Sequence, residues 1–268
     1  MSVEKIDETN DEYHADTQWF SSSQVKCFSD GPAMYHLRYV QGVRQTSSAF
    51  MLGSLVHCMF LEPDAVEERY TICPIKDRRT KAYKEWITNH DYRNTVSGPK
   101  QAVSQSDWDT ALQCVNALYD HEISRSIFDE DGETESSWRY KHGGIPCKLK
   151  ADKILPAANL VFDLKTISCA TPDEVRRSFR KYKYGLQAAH YVVGAENVYA
   201  EQRTGRFGMV FAFVETQPPF RVLCYQVAQK TLDQFIGQWD VLLADLSQCS
   251  MLNTWIEPTQ NQLLSLEF

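Results

Sequence analysis

The chain opens on a polar, acidic segment and becomes apolar-periodic only after residue 18, so residues 1–18 are expected to be a flexible acidic lead. Ser21-Ser22-Ser23 precedes the apolar positions Val25, Phe28, Met34 and Leu37. A serine cap opening a helix is predicted there, because its hydroxyl satisfies an amide that the first turn leaves unpaired. Gly31-Pro32 breaks that run, and a second short helix is expected over 35–39. Residues 50–61 read as a strongly apolar helix ending before Pro63, with Gly53 and His57 four apart on one face. A polar stretch over 71–100 holds a short helical piece near 82–89. Residues 104–128 then read as one amphipathic helix carrying Trp108, Leu112, Val115, Leu118 and Ile123.

After an acidic run at 129–135 the period changes from helical to alternating. Strands are predicted over 135–140 and 145–154, with His142-Gly143-Gly144 as the turn between them, and over 159–167. Helices follow over 172–183 and 185–200, a strand pair over 207–214 and 221–227, and a last helix over 230–246. Helices first, then strands alternating with helices, predict an α/β core (131–250) behind a mainly helical part (19–130). Together these make one domain over 19–258, followed by a tail at 259–268.

Composition narrows the class. Of 268 residues, 43% are hydrophobic and 24% charged, a globular balance that excludes a disordered chain, collagen or a coiled coil. No apolar run reaches the roughly 18 residues that span a bilayer. The acidic start lacks the apolar core of a signal peptide, so an intracellular protein with no membrane partner is expected. The eight cysteines form no Cys-x-x-Cys pair, which argues for small buried hydrophobes rather than a zinc or iron–sulfur site. The net charge of −7 is unevenly placed: residues 136–190 hold eleven Lys and Arg against four Asp and Glu. That excess has two readings, a solvated helix face or a surface for an anionic polymer.

One spacing carries chemistry. Asp163-Leu164-Lys165 is the only acidic-x-Lys triplet in the chain, and it lies on a predicted buried strand, VFDLKTI. Side chains two apart on a strand share a face, so Asp163 and Lys165 point the same way. Asp152, near the end of the preceding strand, can approach that face if the two strands pair antiparallel. Converging carboxylates hold a hard cation such as Mg²⁺, which polarises a phosphate, and an ammonium stabilises the charge that develops there. The backbone carbonyl of Leu164 is a further candidate ligand. A charged pair on such a strand is costly to bury without a partner or a task, although a plain ion pair is the simpler account. Four more residues join the candidates. Glu135 begins the first strand of the hairpin, His57 is the lone polar side chain in the run LVHCMFL, and Gln187 and Tyr191 are an i, i+4 pair after the Lys/Arg cluster. Each has an ordinary alternative: an acidic cap, a core histidine, or surface hydrogen bonding.

An ordered set of segments resembles the exonuclease VIII (RecE) family of phage and prophage recombination nucleases, which belong with lambda exonuclease to the PD-(D/E)xK superfamily. The segments are YHAD and SSSQVK within 13–26, SDGPAMYHLRYVQG (29–42), AFMLGSLVHCMFLEP (49–63), ETESSWRY (133–140), GIPCKLKAD (144–152), VFDLKT (161–166) and YKYGLQAAHY (182–191). The resemblance implies a restriction-endonuclease-like core, a central mixed sheet flanked by helices. It implies Glu135, Asp152 and Asp163 as acidic ligands, His57 as a ligand of a second metal, Lys165 as the catalytic lysine, and Gln187 and Tyr191 as the supporting QxxxY motif. Ala151 stands where the superfamily often has proline, and Lys150 where this family has arginine. Two Mg²⁺ ions per site, replaceable by Mn²⁺, are implied. So is 5′→3′ digestion of one strand of linear duplex DNA to mononucleotides, leaving a 3′ single-stranded tail. A homo-oligomeric ring (trimer or tetramer), a single-strand annealing partner of the RecT or Redβ kind, and the cytoplasm of a bacterial or phage-infected cell complete the expectation. By comparison with the lambda enzyme, Lys150 is expected to grip the terminal 5′-phosphate, with Ser23 and Lys26 as further candidates. A structure- or sequence-specific endonuclease of the same superfamily and a non-catalytic DNA-binding module are the competing readings.

Overall fold

The computed structural model describes residues 3–43, 48–75, 79–89 and 100–256. The predicted tail at 259–268 lies outside them. In chain order the elements are β1 (Glu4–Ile6), α1 (Asn10–Ala15), α2 (Ser22–Phe28) and α3 (Pro32–Tyr35), which runs into a π-helical turn over His36–Val40. Next come α4 (Ser48–Leu61), a 3₁₀ turn, α5 (Val66–Arg69), β2 (Tyr70–Cys73), α6 (Lys81–Asn89), β3 (Gln101–Ser104), α7 (Gln105–Asp120) and α8 (Glu122–Asp129). The second half holds β4 (Glu133–Thr134), β5 (Ser137–His142), β6 (Ile145–Lys150), β7 (Lys153–Leu155), β8 (Leu160–Ile167), α9 (Pro172–Lys181), α10 (Tyr184–Val198), β9 (Gly208–Glu215), β10 (Val222–Gln226) and α11 (Gln229–Leu252).

Five strands form the central sheet in the order β10-β9-β8-β7-β4. Only β8 and β9 run parallel, so the sheet is mixed as expected. β8 and β9 are covered on both faces, which explains why their sequences, LVFDLKTI and GMVFAFVE, are nearly continuous apolar runs. Alternation divides their side chains between two cores. Val161, Met209, Phe211 and Phe213 pack with residues of α2, α10 and α11. Phe162, Leu164, Val210, Ala212 and Val214 pack with residues of α4 and α7. A second sheet, β1-β5-β6, is antiparallel throughout, and β2 and β3 form a small parallel pair.

Three expectations are corrected. The strand predicted over 145–154 is two strands in different sheets: β6 pairs with β5, and β7 pairs with β4 and β8. The hairpin bends at Ala151-Asp152 on one side and at Glu135-Ser136 on the other; Cys147, Leu149 and Ala151 alternate with Lys148, Lys150 and Asp152 up to the bend, so alternation alone hides it. The helix predicted over 104–128 breaks at His121, whose ψ of 115° is extended. The His121 ring accepts the Ser124 amide at 3.3 Å, capping α8. The lead over 1–18 is ordered from residue 3. β1 pairs with β5, α1 carries a capping box at Thr9, and Tyr13 is buried. Its acids have distant partners: Arg139 binds Asp16 at 2.7 Å and Glu8 at 3.1 Å. The buried Lys148 ammonium meets the carbonyls of Tyr13 and Asp16 at the end of α1. A cation there satisfies carbonyls the helix leaves unpaired. No helix among the described residues is long and apolar enough to cross a membrane.

Candidate active site

The site forms where β8 loses its neighbour. β7 pairs with β8 only from Leu160 to Phe162, leaving the edge of β8 open beyond that point. Asp152 fills the gap: its Oδ2 accepts the Leu164 amide at 2.6 Å. A residue's N–H and C=O face the same neighbour along a strand, so the Leu164 carbonyl is also directed to this edge. Glu135 occupies the opposite bend of the hairpin rather than the start of a strand, and its amide donates to the Asp152 carbonyl at 3.1 Å. Its φ of 49° is left-handed, a conformation that costs a non-glycine residue about 1–3 kcal/mol and is found at functional sites. The two bends thus bring two carboxylates together.

His57 arrives from the other side of the sheet, on α4. Gly53, one turn earlier, faces β8, and a Cβ there would come within 3.2 Å of Thr166 Oγ1. Glycine lets the helix lie close to the strand, and His57 Nδ1 reaches 3.4 Å from Asp152 Oδ2. Ligand atoms of His57, Glu135 and Asp152 all lie within 4.8 Å of one another. Burial, and then the neighbouring Asp152 charge, push the Glu135 carboxyl up to about 8, against the pull of Lys150. Two carboxylates so close favour either a retained proton or a bound cation. This donor set, hard oxygens with one imidazole, fits a divalent metal.

Asp163 and Lys165 lie on the opposite face, toward α10, sharing it as the period of two predicts. Asp163 is 1% exposed. Its Oδ1 accepts the Gln187 side-chain amide at 2.6 Å, and the Lys165 ammonium lies against Oδ2. A carboxylate oxygen carries a second lone pair beyond one such contact, so Oδ2 has capacity left for a ligand. Burial pushes the Asp163 carboxyl up to about 6, with Lys165 opposing the shift. For Lys165 the effect of burial is outweighed by Asp163 and Asp152, which hold its ammonium above the ordinary lysine range. Asp163 is therefore adjacent to the three-residue group rather than a member of it, with Gln187 fixing its orientation.

Lys150 lies near Glu135, Nζ to Oε2 3.7 Å, and donates to Asn10 Oδ1 at 2.5 Å. Both residues line a cavity of about 140 Å³, together with Ser23, Tyr191 and residues of α1. Lys26 is elsewhere: its ammonium donates to Gln187 Oε1 at 3.0 Å, which leaves the Gln187 amide group turned toward Asp163. Lys150 and Ser23 thus line one cavity, and Lys26 is not among the lining residues. Asn10, Tyr13 and His14 line the same cavity and were missed because the lead was read as flexible. The YHAD segment of the resemblance was the available signal.

Comparisons with known proteins bear on this arrangement. A protein from Eubacterium rectale, described as a candidate exonuclease, has the same fold at 14% identity and a TM-score of 0.65, over 98% of this chain and 96% of its own. A phage-related exonuclease from Haemophilus somnus 129PT aligns at 11% identity over 70% of this chain and 93% of its own; its TM-score of 0.36 carries no argument. No curated protein matches the sequence. Residues 21–261 match the family described as a PDDEXK-like domain of unknown function, DUF3799. The sheet edge built from Asp152, Asp163 and Lys165 lies inside that match, and the chain belongs to this PDDEXK-like family.

Proposed function

We propose that the protein is a Mg²⁺-dependent 5′→3′ exonuclease of linear duplex DNA that releases mononucleotides and leaves a 3′ single-stranded tail. The observation that carries a nuclease reading is the meeting of His57, Glu135 and Asp152 with the Asp163–Lys165 pair at one open strand edge. Direction and dependence on ends rest on the ordered segments shared with the exonuclease VIII family.

When bound, a divalent cation supplies Lewis acidity toward the phosphate and a more acidic water. His57, Glu135, Asp152, Asp163 and the Leu164 carbonyl would hold it; Mn²⁺, the softer ion, suits the imidazole better than Mg²⁺ does. Lys165 stays charged beside Asp163, so it can orient the attacking water and stabilise the phosphate oxygens as negative charge develops. Gln187 holds Asp163 in one orientation and Tyr191 borders the approach. Lys150, with Ser23 lining the same cavity, would hold the terminal phosphate of the 5′ end.

A ring of three or four copies around the DNA, an annealing partner of the RecT or Redβ type for the tail, and a cytoplasmic location belong to the same proposal. The test is a gel assay on linear and closed circular duplex with Mg²⁺. Linear DNA should be shortened from its 5′ ends, circular DNA should persist, and chelator should stop the reaction. Nicking of the circle would establish an endonuclease instead, and full activity in excess chelator would remove the metal from the mechanism.

A further inference from the structure

Across the junction of α9 and α10 the chain reads Arg180-Lys181-Tyr182-Lys183-Tyr184, with Tyr182 and Lys183 between the helices. Arg180, Lys181 and Tyr182 are exposed, and half of the Tyr182 surface is open to solvent. Lone exposed tyrosines are common and need no explanation. This one has three further properties.

It is held rigidly. Lys183 adopts a left-handed conformation, φ 54°, and its ammonium is fixed by Asp30 at 2.6 Å, Ser29 Oγ at 2.7 Å and the Lys26 carbonyl at 3.1 Å. It is flanked by cations. Lys181 Nζ lies 5.0 Å from the Tyr182 ring. Arg176 and Arg177 spend their charge on Asp173 and Glu174 within α9, whereas Arg180 and Lys181 form no ion pair among the described residues. And it is two rings away from the catalytic lysine. Tyr182 lies 5.8 Å from Tyr184, and Tyr184 lies 5.2 Å from Lys165 Nζ while stacking on Phe211.

We propose that Tyr182 is a stacking platform for an unpaired nucleobase at the mouth of the active site, with Arg180 and Lys181 holding the adjoining phosphates. The inference rests on the nuclease reading and adds a binding subsite to it: the ligand is single-stranded DNA, recognised through the face of a base. Single-strand surfaces combine cations that follow the backbone with aromatic rings that accept any base. A duplex hides its base faces, so a platform of this kind acts only on a nucleotide that has left its partner. The fixed turn reduces the ordering cost of binding.

The test uses fluorescence anisotropy with two labelled oligodeoxynucleotides of equal length, one of ordinary composition and one abasic over its central residues. Binding is measured in chelator, without hydrolysis. Wild type should bind the ordinary strand about tenfold more tightly than the abasic one. Tyr182→Ala should lose about tenfold on the ordinary strand and almost nothing on the abasic strand, and Tyr182→Phe should behave as wild type. Arg180→Ala with Lys181→Ala should weaken both strands and flatten the salt dependence. Thermal melting should be unchanged in every variant, because these side chains are exposed. Equal losses on both strands, or none, for Tyr182→Ala overturn the platform. If wild type still degrades linear duplex with Mg²⁺ in that case, only the platform fails. If it neither binds DNA nor degrades it, the nuclease reading fails with it.

Discussion

The two faces of the central sheet handle charge in opposite ways. Toward α10, the buried polar atoms form a closed chain: Lys26 to Gln187, Gln187 to Asp163, and Asp163 to Lys165. Toward α4, a single histidine stands on a helix whose neighbours in the core are apolar, and it meets Asp152 and Glu135 only at the sheet edge. The first face is electrically satisfied without a metal. The second gathers two carboxylates against a histidine, with Lys150 3.7 Å from Glu135, so it gains most from a cation. Cation loading should therefore be governed by the α4 side and the edge, and the rate of the chemical step by the α10 side.

The largest expected effects separate these two roles. Lys165→Ala should lower kcat by about a thousandfold or more, since its interaction belongs to the transition state. Its Mn²⁺ affinity, measured by calorimetry, should stay within a few-fold of wild type. Asp152→Ala should lose Mn²⁺ binding and turnover together. If Lys165→Ala binds no metal, or Asp152→Ala binds it normally, the division between the faces is wrong.

Next comes His57→Ala. If His57 is a ligand, its loss should weaken metal binding by at least the roughly 10–100-fold that losing an outer-shell partner costs, with little change in the metal-free melting temperature. A core histidine would show the reverse, a lower melting temperature and unaltered affinity in the folded fraction. Gln187→Ala acts on the other face. It leaves a buried carboxylate oxygen without its donor, a loss of about 1–3 kcal/mol in stability. It should lower kcat more than it raises the KM for DNA, because Asp163 loses its fixed orientation.

These contrasts also show which parts of the site could be read from sequence. Asp163 and Lys165 were legible because the period of a strand is local, and VFDLKT states it within six residues. His57 stood out as the one polar side chain in the run LVHCMFL, but its partner is set by how α4 crosses the sheet. The bends at Glu135 and Asp152 were hidden because the alternation of Cys147, Leu149 and Ala151 with Lys148, Lys150 and Asp152 runs unbroken up to the turn. Charge misled most. The basic stretch suggested a surface for DNA, yet Arg139, Lys148, Lys150, Lys153, Lys165 and Lys183 each find a partner inside the fold. Several of those partners lie on the lead that was expected to be flexible. A sum along the sequence counts all cations alike, whereas only a fold shows which of them are held by oxygens elsewhere in the chain.

The smallest effect expected is a pH dependence of stability. Burial and Asp152 push the Glu135 carboxyl up to about 8, while in the unfolded chain it titrates near ~4.3. The folded state therefore binds the proton more tightly. The stabilisation is fully present below the unfolded value and is lost as pH rises through the folded one. Lys26 works in the opposite sense: burial, and then Lys165, push it down to about 7, so above that pH its contribution favours folding as pH rises. The Glu135 contribution is isolated by comparing wild type with Glu135→Gln in metal-free melts from pH 5 to 8. The melting temperature of wild type relative to the variant should fall by a few degrees across that range. Metal ligands must be deprotonated to bind, so the rise in wild-type melting temperature on adding Mg²⁺ should be larger at pH 8 than at pH 6. A difference between the two proteins that stays flat with pH would place Glu135 outside the carboxylate group and leave Asp152 and His57 to hold the cation with Asp163.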